Sequence, residues 1–327
     1  MVGAEPPLYG ALDLGTNNCR LLLARPSADG FRVVDSYSRI VRLGEGLAAT
    51  GRLSPAAMER TLAALRVCAQ RLARRGVAAA RTVATEACRR AANGEEFLAR
   101  VTGETGLVLE VISTAEEARL ALAGCAGLLD PARPYALVFD IGGGSTEVSW
   151  AATGAATGAA GGGGTVGVID MVSLPIGVVT LSERYGGAAG SAAGFAAMVA
   201  EADAGLAAFD RRHAIARRVA EGAVQMLGTS GTVTTLAGVE MGLPRYDRSR
   251  VDGYTLDFAT IDDIVDYLLS LSPSGLAAVP CIGRQRADLV LAGCAVLMAI
   301  RRRWPVGRLR VADRGLREGI LLGLMDG

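Results

Sequence analysis

Apolar and polar residues follow two different periods along this chain, and the switches between them outline its elements. Near the start, apolar runs at 9–13, 19–24 and 31–38 are separated by Gly, Asn and Asp turn signals, which predicts an antiparallel meander of three strands. From 54 to 75 the apolar positions recur at helical spacing, with Ser54 placed to cap and Pro55 at the first helical position, where its missing N–H costs nothing. A strand at 77–85, a helix at 95–105, a strand at 107–112 and a helix at 115–129 follow. That alternation defines an α/β protein. Asp130-Pro131-Ala132-Arg133-Pro134 breaks the pattern, and the strand-turn-strand theme begins again at Tyr135. We therefore expect two domains, 1–130 and 131–315, with a last helix at about 316–327 packing back on the first. Within the second, strands are expected at 166–174, 223–229 and 308–312, and helices at 192–212, 261–271 and 286–302.

Two stretches need separate readings. The apolar run 289–300 is too short to span a bilayer and is bracketed by Asp288 and Arg301, so it reads as a core helix. The segment 151–164 is almost pure Ala, Gly and Thr and reads as a mobile hairpin loop with no assigned function.

Composition narrows the chemistry. A net charge of +1 over 327 residues argues against a nucleic-acid surface. The chain contains no lysine, which excludes a Walker-type phosphate lysine and Schiff-base catalysis. Its only histidine, His213, lies in a basic helical stretch and reads as a surface residue, so acid and base roles fall to carboxylates and water. The cysteines Cys19, Cys68, Cys88, Cys125, Cys281 and Cys294 lack C-x-x-C spacing and read as buried thiols. The chain reaches its first strand within about ten residues without a charged and apolar leader. A cytoplasmic location without a membrane partner is the expectation.

The chemistry gathers at glycine turns. Asp13-Leu14-Gly15-Thr16-Asn17 and Asp140-Ile141-Gly142-Gly143-Gly144-Ser145-Thr146-Glu147 each end an apolar run with Asp-x-Gly. Such a turn aims backbone N–H groups at an anion with no Cβ in the way, and two of them suggest two halves serving one phosphate chain. An Asp at each strand end suits a hard divalent cation, which prefers oxygen ligands and reaches phosphates through one or two carboxylates. A third glycine turn, Gly228-Thr229-Ser230-Gly231-Thr232, precedes a helical segment, where N–H groups and hydroxyls can hold a phosphate; an ordinary strand-to-helix turn reads the same way. Ser113 and Thr114 both stand at capping-box spacing from Glu116 and Glu117. If Ser113 caps against Glu116, Glu117 is turned by about 100° to another face and can deprotonate a water. Arg89, just past a strand, can grip phosphate oxygens or lie on a surface helix.

Together these residues resemble the exopolyphosphatase and guanosine pentaphosphate phosphatase family, in the superfamily of sugar and acetate kinases, heat-shock chaperones and actin. The resemblance is carried in order by the first Asp-x-Gly turn, Arg42-Leu43-Gly44-Glu45-Gly46-Leu47, Val83 to Arg89, Ser113-Thr114-Ala115-Glu116-Glu117-Ala118-Arg119-Leu120, Asp140 to Glu147, Gly228 to Thr232, Arg286-Ala287-Asp288 and Asp313-Arg314-Gly315-Leu316-Arg317-Glu318-Gly319. It implies two actin-like (ribonuclease H-like) domains with mixed sheets flanked by helices and an active-site cleft between them, in the short two-domain form. It further implies Glu117 as general base, Asp140 and Glu147 at a magnesium or manganese ion, and a phosphate site. That site comprises Asp13, Gly15, Thr16, Asn17, Arg89, Gly142, Gly143, Gly144, Ser145, Thr146, Gly231 and Thr232. Asn18, Thr114 and Cys281 depart from the family's usual Ser, Gly and Gly. The implied activity is release of terminal orthophosphate from inorganic polyphosphate; without the appended domains of longer relatives we expect lower processivity or a preference for shorter chains, and homodimerisation is an expectation of the family alone. Hydrolysis of guanosine pentaphosphate, a kinase of the same fold and a non-enzymatic polyphosphate or nucleotide binder are the alternatives, with Glu116 to Leu120 arguing against the kinase.

Overall fold

The computed structural model describes residues 5–28, 30–154 and 166–326. Most of the expected Ala/Gly-rich loop therefore lies outside the described residues. The chain divides into two compact units, Met1–Gly124 with Gly315–Gly327, and Cys125–Arg314.

The first unit is a five-stranded sheet in the order β3-β2-β1-β4-β5, formed by β1 (Tyr9–Leu14), β2 (Asn18–Ser27), β3 (Gly30–Ile40), β4 (Ala79–Ala84) and β5 (Glu110–Val111). The first three strands form the antiparallel meander, and β4 runs parallel to β1. Alternation along β1 supplies both faces. Leu12 and Leu14 pack with Leu62, Leu65, Phe97 and Val101 of the helices Pro55–Arg75 and Gly94–Thr105. Ala11 packs with Leu120 of the helix Thr114–Cys125 and with Leu316, Ile320 and Leu321 of the helix Leu316–Met325. Those last two helices touch backbone to backbone: a Cβ on Gly319 would lie 2.0 Å from the carbonyl oxygen of Leu120, and one on Gly124 2.0 Å from that of Gly315. Only glycine permits so close a crossing.

The second unit has β6 (Tyr135–Ile141), β7 (Thr146–Ala152), β8 (Gly167–Leu174), β9 (Val224–Thr229), β10 (Thr255–Asp257) and β11 (Arg308–Ala312), in the order β10-β11-β9-β6-β7-β8. Here β6, β7 and β8 form the meander, while β9 and β11 run parallel to β6 and to β9. With β10 set aside, this is the strand order and direction of the first unit. The restart read at Tyr135 is thus a repeat of topology. The expected core helix is Val290–Arg303, fully buried from Val290 through Ile300. The helix Ala192–His213 lies along it with Phe195, Met198, Ala202 and Leu206 buried.

Four expectations shift. The strand at 107–112 shrinks to two residues because the Thr82 hydroxyl takes the Val108 carbonyl at 2.5 Å in place of a ladder bond. The helix at 115–129 ends at Cys125 and tightens into a 3₁₀ turn, Ala126–Leu128. The helix at 286–302 begins only at Val290, since Leu289 N–H bonds back to Arg286 in a turn. His213 is not a surface residue: it is part-buried, 2.7 Å from the Asp170 carboxylate and edge-on to Phe209.

Candidate active site

Asp13 and Asp140 occupy the same place in the two repeats, one residue before the end of the first strand of each meander. The turns that follow also match. Gly15 N–H donates to the Asn18 carbonyl at 2.9 Å, and Gly142 N–H to the Ser145 carbonyl at 2.9 Å.

The first turn is stitched to the Arg42–Leu47 motif. Gly44 N–H donates to the Thr16 carbonyl at 3.0 Å, and Val41 and Arg42 N–H groups to that of Asn17 at 2.8 and 3.0 Å. Gly44 is glycine because a Cβ there would lie 2.3 Å from the Thr16 methyl. The side-chain oxygens of Asn17 and Asn18 are buried with no hydrogen-bond donor among the described residues. A buried amide oxygen in that condition calls for a donor or a cation from outside the chain. Asp13 is opposed across the strand pair by Arg20. Burial pushes its carboxyl above the usual range, while Arg20 and Arg317 pull it down.

In the second turn the residue opposite the Asp is an acid: Asp140 pairs in register with Glu147. Directly opposed residues share a sheet face with Cβ atoms about 5 Å apart, and like charges there repel. Glu147 is only 5% exposed and accepts a hydrogen bond from the Ser173 hydroxyl at 2.8 Å. The Thr146 hydroxyl is buried and donates to the Ile176 carbonyl at 2.7 Å, so it is committed to the fold. Behind the glycine triplet stands Gly177, a residue that sequence reasoning missed. Val178 and Val179 N–H groups, opening the helix Val178–Tyr185, donate to the Gly142 and Gly143 carbonyls at 2.9 and 2.8 Å. The helix start thereby fixes the carbonyl side of the turn; Gly142 N–H is spent on the Ser145 carbonyl, which leaves the Gly143 and Gly144 N–H groups for a ligand.

The third turn adjoins the second, since the Ser230 hydroxyl donates to the Ile141 carbonyl at 2.8 Å. Ser230 has φ 86° and ψ 179°, a region almost reserved for glycine and costing about 1–3 kcal/mol. Gly231 and Thr232 open the helix Gly231–Glu240, whose first N–H groups have no partner within the helix. The Thr232 side chain itself packs against Gly293, where a Cβ would meet its hydroxyl at 2.3 Å.

The acidic pair separates as its spacing predicts. Ser113 Oγ accepts from Glu116 N–H at 3.2 Å, and the Glu116 carboxylate pairs with Arg81 at 2.8 Å. Glu117, on another face of the helix Thr114–Cys125, is held by Arg89. Both terminal nitrogens of Arg89 donate to Glu117 Oε2 at 2.9 Å, while the same guanidinium reaches the Ile112 carbonyl at 2.8 Å and Glu86 at 3.1 Å. Arg89 lies on a short helix, Glu86–Arg90, too brief to leave a periodic signal. Its observed partners are protein groups on both sides of the carboxylate, and Glu86 is the second residue that sequence reasoning passed over.

All six cysteines are free and buried, and Cys281 donates its thiol to the Leu243 carbonyl while filling space against Gly238. The closing motif is structural: Asp313 accepts from the Tyr246 hydroxyl at 2.6 Å, Arg314 binds Asp252, and Glu318 caps Gly315 N–H at 2.9 Å. Among the described residues no cluster of three or more His, Cys, Asp or Glu is arranged around a metal position.

Two mixed sheets flanked by helices, each opening on the same meander with an acid at its first turn, define an actin-like protein. The Ppx/GppA phosphatase family model matches residues 22–327. Exopolyphosphatase 2 of Mycobacterium tuberculosis is 31% identical over 328 residues, covering 96% of this chain and 97% of that protein. The crystal structure of an exopolyphosphatase-like protein is 30% identical with a TM-score of 0.85, covering 98% of both chains. That of the Aquifex aeolicus member of the Ppx/GppA family is 28% identical with a TM-score of 0.76, covering 98% of this chain and 97% of that one. The chain belongs to the Ppx/GppA phosphatase family, and is a phosphatase hydrolase.

Proposed function

We propose that this protein is an exopolyphosphatase that releases terminal orthophosphate from inorganic polyphosphate, with Glu117 as the general base. The observation that carries the reading is the clamp on Glu117: in a member of this phosphatase family, the second acid of the pair is fixed by a four-pronged arginine while the first is committed to Arg81. Water attacks the terminal phosphorus and gives its proton to Glu117. The new P–O bond forms as the bridging P–O bond breaks, and the shortened chain departs as an anion. Arg89 keeps the accepting oxygen in place, since positioning contributes more to phosphoryl transfer than covalent chemistry does. In the second unit the N–H groups of Gly143 and Gly144 and of the start of the helix Gly231–Glu240, and in the first those of Thr16 and Asn17, are donors of the kind that phosphate oxygens accept from.

Asp140 and Glu147 fit a magnesium or manganese ion. Their donor set is all oxygen, the two carboxylates stand opposed in register on one sheet face, and magnesium is commonly held by one or two carboxylates with phosphate oxygens and waters completing its shell. When bound, the ion would neutralise charge on the phosphates. The test is orthophosphate release from long and short polyphosphate with magnesium, comparing wild type with Glu117→Gln. Loss of at least about 10³-fold in kcat with retained polyphosphate binding supports the reading. Release only from guanosine pentaphosphate would assign the nucleotide substrate instead, and turnover unchanged in Glu117→Gln would overturn the role of Glu117.

A further inference from the structure

The second unit holds a cavity of about 480 Å³ at the opposite end of its sheet from the glycine turns, a size that suits a small organic ligand. It lies where the parallel strands begin: Arg133 just before β6, Val224 at the start of β9, and Arg308 and Arg310 on β11 all line it. The turn at Ser230 follows the far end of β9, roughly 16 Å away along a strand rising about 3.3 Å per residue. The cavity is therefore separate from the phosphate turns of the same unit.

Its charge is one-sided. Most arginines whose contacts were described above are paired with an acid, but among the described residues none of these three is. Arg133 donates to the Gly222 carbonyl and Arg310 to the Thr255 hydroxyl at 3.2 Å. Arg308 stands opposite Asp257 in the β10–β11 register without an ion pair to it among the described residues. The one acid in the lining, Asp130, turns its carboxylate into its own turn and accepts from Ala132 N–H at 2.9 Å. The remaining wall is largely aliphatic, with Leu128, Val224 and Val306. Arg133 and Arg310, which meet only neutral acceptors, together with Arg308 opposite Asp257, stand beside an aliphatic wall and match an anion that is multiply charged at one end. Arginine forks suit phosphate oxygens, which accept two parallel N–H bonds.

We infer that this cavity is a second, non-catalytic site for an oligophosphate anion of two or three phosphoryl groups, either inorganic or carried on a nucleoside. It requires no turnover by Glu117 and so stands or falls apart from the proposed activity. The experiment is titration calorimetry with inorganic tripolyphosphate and, separately, with adenosine triphosphate. The 327-residue Glu117→Gln protein is compared with the same protein carrying Arg308→Gln and Arg310→Gln. Both arginines are exposed, so the fold should be retained; Arg133→Gln, on a different element, is the independent variant, and near-UV circular dichroism checks each.

The expected result is two classes of site, one of which weakens at least about tenfold in the arginine variants, since each arginine removed takes away charge-assisted bonds to phosphate oxygens. Loss for both ligands assigns recognition to the phosphate chain. Loss for adenosine triphosphate alone assigns it to a nucleoside phosphate that also uses the aliphatic wall. Isotherms identical with and without the arginines, in folded variants, would overturn the inference.

Discussion

Gly177 offers a clean way to ask whether the Gly142–Gly144 turn carries the chemistry, because nothing on Gly177 itself can touch a substrate. Its φ of −134° and ψ of 177° are extended values open to any residue, so alanine brings no backbone strain. The obstacle is packing alone. A Cβ at Gly177 lies 2.5 Å from the carbonyl carbon and oxygen of Gly143 and 2.6 Å from the amide nitrogen of Gly144, where ordinary contact begins at 3.4 Å. Both neighbours are backbone and cannot rotate away, so Gly177→Ala must push the turn by most of an ångström or shift the start of the helix behind it.

Overpacking of this kind costs about 1–3 kcal/mol, which a chain with a typical margin survives. Displacing reacting groups by about 1 Å costs on the order of 10²-fold in rate, equivalent to about 2.7 kcal/mol of barrier. Gly177→Ala should therefore melt a few degrees lower yet lose about a hundredfold in kcat/KM for whichever phosphate substrate the wild type cleaves. Gly167→Ala, where a Cβ meets nothing within 4 Å, is the control and should match wild type. Orthophosphate release and thermal melts on the three proteins decide it. A folded Gly177→Ala within threefold of wild type would refute the premise that this turn holds the reacting phosphate.

Two further outcomes follow from the ion pairs. Arg89→Lys should lose about 10- to 100-fold in kcat with little change in melting temperature, because one ammonium cannot reach Ile112, Glu86 and Glu117 together; steady-state rates compared with melting curves check it. Asp170 is held down to about 2 from 3.8, first by the hydrogen bond from His213 and then by Arg212 and the Met171 N–H. A depressed acid stabilises the fold above its unfolded value and loses that contribution as pH falls. Wild type and Asp170→Asn should thus differ by about 1 kcal/mol at pH 5, after allowing for partial exposure, and converge as the pH drops from about 4 to 2. Urea titrations at pH 5 and 2.5 measure the gap.

Much of the scaffold was legible because its signals are local. Ser54 and Pro55 mark a helix start, and the Ser54 hydroxyl accepts from Ala57 N–H at 3.2 Å as the pattern requires. The meander repeats because apolar runs with period two, cut by Gly and Asn, leave little else to form. The separation of Glu116 from Glu117 was likewise readable from helical geometry. What escaped depends on contacts distant in sequence. Gly177 stands 34 positions after Gly143, and no local pattern says which backbone it must clear. Arg89 looked available to a phosphate because its partner, Glu117, is recruited across a separation of 28 residues. His213 read as surface for the same reason: Asp170 comes from the strand β8, 43 positions earlier.

The two repeated meanders differ at one position that sets their electrostatics. In the first, the acid at the strand end faces Arg20; in the second it faces Glu147, itself nearly buried. Arg20 offsets some of the charge on the first acid, whereas two opposed carboxylates repel each other, and a cation held by both relieves that repulsion. Magnesium should therefore raise the melting temperature of wild type, since a ligand that binds only the folded state stabilises it by about 2.7 kcal/mol at a hundredfold its Kd. Glu147→Gln removes the repulsion and half of the carboxylate set together. In chelator that variant should melt at or above wild type, and added magnesium should shift it far less. Asp13→Asn, in the meander with its own arginine, should keep the wild-type response. Equal magnesium shifts in wild type and Glu147→Gln would show that the Asp140–Glu147 pair does not hold the ion.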